Sequence, residues 1–188
     1  LHANDPAYGI FEKAWGKLDF VVHAIAFSDK DELTGRYVDT SADNFTKTMF
    51  ISCYSFTAIA QRAEKLMTDG GSLLTLTYYG AEKWMPHYNV MGVAKASLEA
   101  CTRYLAYDLG CRKIRVNCIS AGPINTLSAR GVKNMGTLLG YVAEKSPLKR
   151  NVSAAEVGNT ALLLVRDLSS GITGETIYVD CGYNIMGI

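Results

Sequence analysis

Short apolar runs recur along the 188-residue chain, and their length and boundaries predict buried strands. Each run is too short for a helix and is bounded by glycine, polar or charged residues. The runs are Leu18–Ile25, Ser72–Thr77, Ile114–Ile119 and Thr176–Val179. Because the first run is continuously apolar, it is predicted to be covered on both faces, as strands of a parallel sheet usually are.

Segments with apolar residues at helical spacing separate these runs. A short helix is predicted near the start, with Asp5 as its N-cap and Gly16 at its end. Later helices are predicted over Ser41–Met67, Tyr88–Leu109 and Ser153–Asp167. The second of these would have Gly110 at its C′ position, and the third begins with a capping box formed by Ser153 and Glu156.

Alternation of strands and helices predicts one α/β domain over residues 1–188, a doubly wound parallel sheet with helices on both faces. Ser28–Thr40 is predicted to be a surface loop, and residues 124–150 a mobile segment rich in Gly, Ser and Lys. In parallel sheets ligands bind at the carboxyl ends of the strands. We therefore expect function in the segments after Ile25, Thr77 and Ile119.

Composition excludes several classes of protein. With 48% hydrophobic and 20% charged residues, the chain is neither disordered nor a membrane bundle. A formal net charge of +1 gives no electrostatic reason to expect a nucleic-acid or membrane partner. Five cysteines without a C-x-x-C pair and three scattered histidines predict no disulfide framework and no metal site. Buried free thiols in a reducing cytoplasm are the expected state of the cysteines.

Tyr88 and Lys95 lie seven residues apart in a predicted helix that follows a strand, and therefore on nearly the same helix face. Gly92 lies between them on that face, which suggests that something approaches the backbone there. An ammonium beside a phenol would lower the phenol pKa and make it a proton donor. Tyr78, at the end of the preceding strand, would reach the same crevice. The competing interpretation is that these are ordinary interfacial tyrosines and a solvated lysine.

The other two strand ends are also candidate ligand contacts. After the third strand, Gly122 and Pro123 predict a tight turn that exposes the backbone of Ile124 and the hydroxyl of Thr126. After the first strand, small residues precede Ser28 and could let a flat ligand lie on the backbone. Ordinary turns and strand–helix packing explain either segment equally well in isolation.

Together these residues resemble a known family. Tyr78, Tyr88 and Lys95 within LLTLTYYGAEKWMPHYNVMGVAKASLEA make the chain similar to the bacterial enoyl-[acyl-carrier-protein] reductases, a divergent branch of the short-chain dehydrogenase/reductases. Further similar segments are FVVHAIAF, RVNCISAGPINTLSARGV and DLSSGITGETIYVDCGY. Ordinary members of the superfamily have a Tyr-x3-Lys motif with an upstream serine, whereas this chain has a six-residue gap and Tyr78.

The resemblance implies a Rossmann-like fold, the cofactor NADH, an enoyl substrate carried on acyl carrier protein, and a homotetramer in the cytoplasm. Tyr78, Tyr88 and Lys95 would be catalytic, and Tyr78, Tyr88 and Ser28 would contact the substrate. Residues 126–149 would form the substrate-binding loop. The implied cofactor contacts are Ile25, Lys95, Ile124, Asn125, Thr126, Leu127 and Ser128.

The chain departs from the family at its start, because it has no glycine-rich turn before Leu18. The strands that bind the adenosine half of the cofactor are therefore expected to be absent, and the first predicted strand to lie at the edge of the sheet. Two alternatives stay open on the sequence. One is a carbonyl-reducing short-chain dehydrogenase, and the other is a non-catalytic remnant or partner subunit of a reductase.

Overall fold

Four parallel strands form the centre of the structure, a computed structural model that describes residues 6–124 and 135–187. The strands are β1 (Phe20–His23), β2 (Gly71–Thr77), β3 (Ile114–Ala121) and β4 (Thr176–Val179), in the order β1-β2-β3-β4. Each pair of neighbours is parallel, with Val21 opposite Leu73 and Leu73 opposite Val116. The four predicted strands are confirmed, the first being shorter than predicted and the third longer.

The described helices lie where the apolar spacing predicts them, with α5 in addition. They are α1 (Pro6–Trp15), α2 (Ala42–Met49), α3 (Ser55–Leu66), α4 (Asn89–Gly110), α5 (Met135–Lys145) and α6 (Ala154–Val165). A π-helical turn, Phe50–Tyr54, joins α2 to α3, so the predicted long helix is one stretch with a bulge. The capping box of Ser153 and Glu156 is confirmed, while Asp5 lies outside the described residues. No helix in the described part of the chain is long and apolar enough to cross a membrane.

The end of α4 differs from the prediction. Gly110 is the last helical residue and not a left-handed C′ residue, since the left-handed conformation falls instead on Lys113, with φ of 60°. The glycine that this corner requires is Gly70, with φ of 90°, because a Cβ there would lie 2.7 Å from the carbonyl oxygen of Lys113. The glycine that this corner requires therefore lies directly before β2, and not at the end of α4.

Two apolar layers enclose the sheet. On one face α3 and α4 pack against β2 and β3, with Phe56, Leu73 and Leu98 fully buried. On the other face α6 packs against β2, β3 and β4, with Leu74 and Leu164 in the core. The predicted doubly wound sheet with helices on both faces is confirmed.

β1 lies at the edge of the sheet, as predicted, but the prediction that it is covered on both faces is wrong. Val21 packs toward α3 and α4, whereas Phe20 and Val22 are 50% and 44% exposed. These two side chains point to the opposite face, since successive residues of a strand alternate between faces. On that face the described cover comes from α6, which packs against the other three strands.

Both predicted loops contain short helical segments. Within Ser28–Thr40 the chain forms two 3₁₀ turns, Lys30–Leu33 and Tyr37–Asp39. Within residues 124–150, which are predicted to be a mobile segment, residues 135–145 form α5. Apolar residues at Leu138 and Val142 share one side of α5, and Val142 is buried.

Candidate active site

A cavity of about 780 Å³ opens at the carboxyl ends of β1, β2 and β3. Its wall is mostly apolar, with a few polar groups that converge near the strand ends. Among the residues that line it are Ala26, Ser28, Tyr78, Met85, Tyr88, Met91, Lys95, Gly122, Pro123, Ile124 and Leu138. The segments expected to carry function therefore meet at one cavity.

Tyr78 and Tyr88 pack edge to face in this cavity, with ring centroids 5.1 Å apart and an interplanar angle of 72°. The Tyr78 hydroxyl is buried and has no hydrogen-bond partner in the described structure. Burial raises the pKa of both phenols, and Tyr78 and Glu99 raise that of Tyr88 further. The prediction of a lowered phenol pKa is therefore wrong, because burial raises the pKa of both phenols and Lys95 is not among the groups that shift either of them.

Two glycines bring the loop after β2 onto the start of α4. A Cβ at Gly92 would lie 2.7 Å from the carbonyl oxygen of Gly80, and a Cβ at Gly80 would lie 2.5 Å from the Tyr88 ring. The group that approaches the helix between Tyr88 and Lys95 is thus the Gly80 carbonyl. This contact places Tyr88 against Tyr78 in the wall of the cavity.

Replacing Gly92 by alanine is expected to destabilise the protein by about 1–3 kcal/mol, because the new methyl group meets backbone that cannot yield easily. The Gly80 loop must shift, so the Tyr88 ring loses its position and turnover falls at least about tenfold. Gly158→Ala is the matched control, since its Cβ in α6 meets nothing within 4 Å. That variant should gain about 0.5–1 kcal/mol in urea unfolding. Equal stability of the two variants would contradict the contact.

Lys95 is buried and lines the cavity, where its Nζ donates a hydrogen bond to the carbonyl oxygen of Leu76 at 2.8 Å. No carboxylate of the described residues lies within ion-pair distance of this ammonium. Burial lowers its pKa, against a smaller opposing effect of Cys118, Cys53 and Glu99. A charge held here without an ion pair is a candidate ligand-binding group rather than a solvated lysine.

His23 lies at the end of β1 in a buried polar network. Its Nδ1 shares a hydrogen bond with Thr75 at 2.9 Å, and its Nε2 shares one with Ser55 at 2.7 Å. Burial, helped by the nearby Lys95 charge, lowers the pKa of His23 to about 4. Beside it, Ser52 of the π-helical turn both accepts from the Phe27 N–H and donates to the Phe27 carbonyl, each at 2.9 Å. The segment after β1 is therefore fixed to the helix bulge.

The buried imidazole makes stability depend on pH. The unfolded chain takes up a proton near pH 6.5 and the folded state only near pH 4, so the unfolded state binds more protons in between. The neutral His23 contributes up to about 3 kcal/mol to the free energy of unfolding. This contribution is complete above pH 6.5 and is lost as the pH falls toward 4. In urea titrations from pH 8 to 4, His23→Gln should lose less stability than the unchanged protein. Parallel curves would contradict the neutral, buried imidazole.

Of the remaining predicted residues, Ser28 and Ile124 line the cavity and Ile25 does not. Ser28 is buried and donates to Asn44 of α2 at 3.3 Å, and it accepts from Thr48 at 2.9 Å. At the predicted tight turn Gly122 is not in the left-handed conformation. The position needs a glycine for another reason, since a Cβ there would lie 3.0 Å from the Cα of Asp180. Four predicted cofactor contacts lie outside the described residues, namely Asn125, Thr126, Leu127 and Ser128. The first part of the predicted substrate loop, residues 126–134, lies outside them too.

Sequence reasoning missed two polar residues beside the cavity. Thr77 donates a hydrogen bond to the Glu99 carboxylate at 2.8 Å, and Thr77 also lines the cavity. Glu99 follows Lys95 by four residues on α4, which places both on one face of the helix. The four-residue spacing from Lys95 is the feature of the sequence from which Glu99 could have been predicted. Among the described residues no group of three His, Cys, Asp or Glu side chains is arranged to hold a metal ion.

Comparison with known proteins supplies the family. A model of the family described as enoyl-(acyl carrier protein) reductase matches residues 5–184. The chain is 66% identical over 188 residues to enoyl-[acyl-carrier-protein] reductase [NADH] 1 of Rhizobium meliloti (strain 1021), and the match covers 100% of this chain and 69% of that protein.

Two solved structures have the same fold. The enoyl-(acyl-carrier-protein) reductase of Anaplasma phagocytophilum in complex with NAD is 58% identical, with a TM-score of 0.94 over 97% of this chain and 70% of that one. The Bacillus cereus enoyl-acyl carrier protein reductase with NADP+ and indole naphthyridinone is 51% identical, with a TM-score of 0.96 over 97% and 71%. The family match, the identities and the shared fold agree, and the chain therefore belongs to the enoyl-(acyl carrier protein) reductase family.

Proposed function

We propose that the protein is an NADH-dependent enoyl-[acyl-carrier-protein] reductase, which reduces the trans-2 double bond of an enoyl thioester in fatty-acid synthesis. The observation that carries the proposal is the meeting of Tyr78, Tyr88 and Lys95 at one apolar cavity beside the strand ends. The family membership and the NADH-dependent relative support it. We propose residues 1–188 as a single catalytic domain, with a substrate-binding loop over residues 126–149.

The cavity residues fit a nicotinamide cofactor. Lys95 presents a buried ammonium that donates to only one backbone carbonyl, and an ammonium has three donors to offer to ribose hydroxyls. Ile124 and the backbone after β3 line the neighbouring wall. NADH, when bound, supplies the hydride that reaches the β-carbon of the enoyl thioester. Lys95 and Ile124, which line the cavity, are proposed cofactor contacts, and so are Ile25, Asn125, Thr126, Leu127 and Ser128.

Tyr88 acts on the thioester carbonyl. Its raised pKa keeps the phenol protonated at neutral pH, so the hydroxyl donates a hydrogen bond and does not act as a base. As negative charge develops on the carbonyl oxygen, this hydrogen bond strengthens and stabilises the enolate. The unpartnered Tyr78 hydroxyl is a second donor in the same place. The α-carbon then takes a proton that comes from water, and the enolate returns to a neutral carbonyl, which completes the reduction.

The apolar part of the cavity holds the acyl chain. Met85, Met91 and Leu138 present flexible or branched apolar side chains, which exclude water from the reacting carbons. Ser28 lies beside this region and is fixed by Asn44 and Thr48, so its hydroxyl is already committed to the protein. We therefore assign Ser28 to the wall of the acyl site rather than to the chemistry.

One pair of measurements tests the function. NADH should bind, as followed by its fluorescence, and the protein should then oxidise it in the presence of crotonyl-coenzyme A but not of a simple ketone. Turnover of the ketone instead would favour a carbonyl reductase. A well-folded protein that binds no NADH would overturn the proposal in favour of a non-catalytic remnant. A parallel titration with NADPH measures the cofactor preference.

We infer a homotetramer that assembles through the helices in residues 41–67 and 88–109 and that works in the cytoplasm. The inference is supported by exposed aromatic side chains in these segments. On α4, Tyr104 is 76% exposed and Tyr107 is 88% exposed, and Tyr54, directly before α3, is exposed as well. Aromatic residues are enriched at protein interfaces. All five cysteines are free, two of them buried, which suits a reducing compartment. Light scattering coupled to size exclusion would reveal a monomer if the assembly is wrong.

A further inference from the structure

Two neighbouring side chains of α4 are attached to the end of β2. Lys95 donates through Nζ to the carbonyl oxygen of Leu76, and Glu99 accepts from the Thr77 hydroxyl, both at 2.8 Å. Leu76 and Thr77 are consecutive and immediately precede Tyr78. The strand end that carries one active-site phenol is thus held by the helix that carries Lys95.

Glu99 is an unusual residue for this place, because it is a half-buried carboxylate with no ion pair among the described residues. Burial raises its pKa, as does Glu82 from the loop after β2, while the Thr77 hydroxyl, Arg103 and Lys95 favour the charged form. Burying the Glu99 carboxylate costs desolvation free energy, and one hydrogen bond from a hydroxyl offsets only part of that cost. We therefore look for a role of Glu99 in its effect on neighbouring groups.

Its important neighbour is the Lys95 ammonium. The titratable groups that act on Lys95 are Cys118 from β3, Cys53 from the π-helical turn and Glu99 from its own helix, while the Lys95 charge acts on His23 from β1. Burial raises the pKa of Cys118, and the hydrogen bond with Cys101, together with burial, raises that of Cys53, so both thiols stay uncharged at neutral pH, as does His23. The same hydrogen bond lowers the pKa of Cys101 to about 6, but Cys101 is not among the groups that act on Lys95. Glu99 is the carboxylate among the groups that act on Lys95, and it lies one helical turn away with its hydrogen bond on the next residue of β2.

We propose that Glu99 is a positioning residue for the reductase reaction, which anchors the end of β2 through Thr77 and supplies a negative charge one helical turn from the buried Lys95 ammonium. This rests on the proposed function for its catalytic meaning, but the effect on Lys95 belongs to the protein without cofactor. The two parts of the role separate by substitution. Glu99→Gln keeps an acceptor for the Thr77 hydroxyl and removes the charge, whereas Thr77→Val keeps the charge and removes the anchor.

The test is the pKa of Lys95, measured by NMR on protein with ¹³Cε-labelled lysine and assigned with Lys95→Met. In Glu99→Gln the Lys95 pKa should fall by about half to one pH unit, since a nearby negative charge is lost. In Thr77→Val it should stay close to that of the unchanged protein. Glu82→Gln, which removes an exposed carboxylate from the neighbouring loop, is the matched control and should leave it unchanged. An unchanged Lys95 pKa in Glu99→Gln, or an equal fall in Glu82→Gln, would overturn the proposal.

Turnover gives the second readout. The alkaline limb of the kcat/KM profile for NADH should move to lower pH in Glu99→Gln, because the ammonium is lost earlier, and should keep its position in Thr77→Val. Thr77→Val should instead lower kcat about tenfold by freeing the strand end beside Tyr78. A Glu99→Gln profile that superimposes on the unchanged one would overturn the catalytic meaning. Absence of turnover in the unchanged protein would refute the proposed function alone, because the NMR titration still decides the role of Glu99.

Discussion

Tyr88→Phe is expected to lower kcat by about 10²–10³-fold, while the Kd for NADH changes by less than about twofold. The substitution removes only the hydroxyl that donates to the developing enolate. The remaining ring keeps its edge-to-face packing on Tyr78 and its contact with Gly80. Steady-state turnover of crotonyl-coenzyme A and NADH fluorescence titration measure the two quantities separately. Because the interaction strengthens in the transition state, kcat and kcat/KM should fall together.

The control for this experiment is Tyr37→Phe, which removes the same atom from an exposed side chain that does not line the cavity. It should leave both kcat and Kd unchanged. A kcat within about threefold of the unchanged protein in Tyr88→Phe would remove Tyr88 from the reaction. Tyr78, whose hydroxyl is buried without a partner, would then be the donor to test.

Much of this site could be predicted from the sequence, because its positions follow from topology. Parallel strands separated by helices bring their carboxyl ends to one edge, so Tyr78 and the segment before Ile124 had to meet. The spacing of Tyr88 and Lys95 then placed both near the same edge. Each of these inferences needs only the order of the elements and the period of a helix. The cavity that unites these residues confirms them.

The features that were missed depend on distances that no local pattern contains. The raised pKa of Tyr88 follows from how completely the ring is buried, and the sequence holds no measure of that. Gly92 could be recognised as needing an explanation, but its partner, the Gly80 carbonyl, is set by how the loop folds back. Phe20 and Val22 read as core residues because their neighbours are apolar, although no described element covers their face.

Lys95→Met is expected to raise the Kd for NADH at least about tenfold without lowering the melting temperature. The ammonium is buried with a single backbone acceptor, and burial lowers its pKa, so the folded protein bears a desolvation cost for this charge. Methionine has a similar length and carries no charge. Methionine removes this cost together with the hydrogen bond to Leu76 and the attraction of Glu99, so the opposing effects on the melting temperature are expected to offset each other. A residue that adds no net stability and cannot be replaced without loss of binding is held for its function.

Lys83→Met, which removes an exposed ammonium from the loop after β2, is the matched control and should change neither quantity. Differential scanning calorimetry and NADH titration on the three proteins separate the possible outcomes. If Lys95→Met lowers the melting temperature and leaves NADH binding intact, the hydrogen bond to Leu76 is the whole role of the lysine, and its assignment to the ribose hydroxyls fails. If binding is lost while stability holds or rises, the ammonium is kept in place for the cofactor, because it adds no net stability to the folded protein.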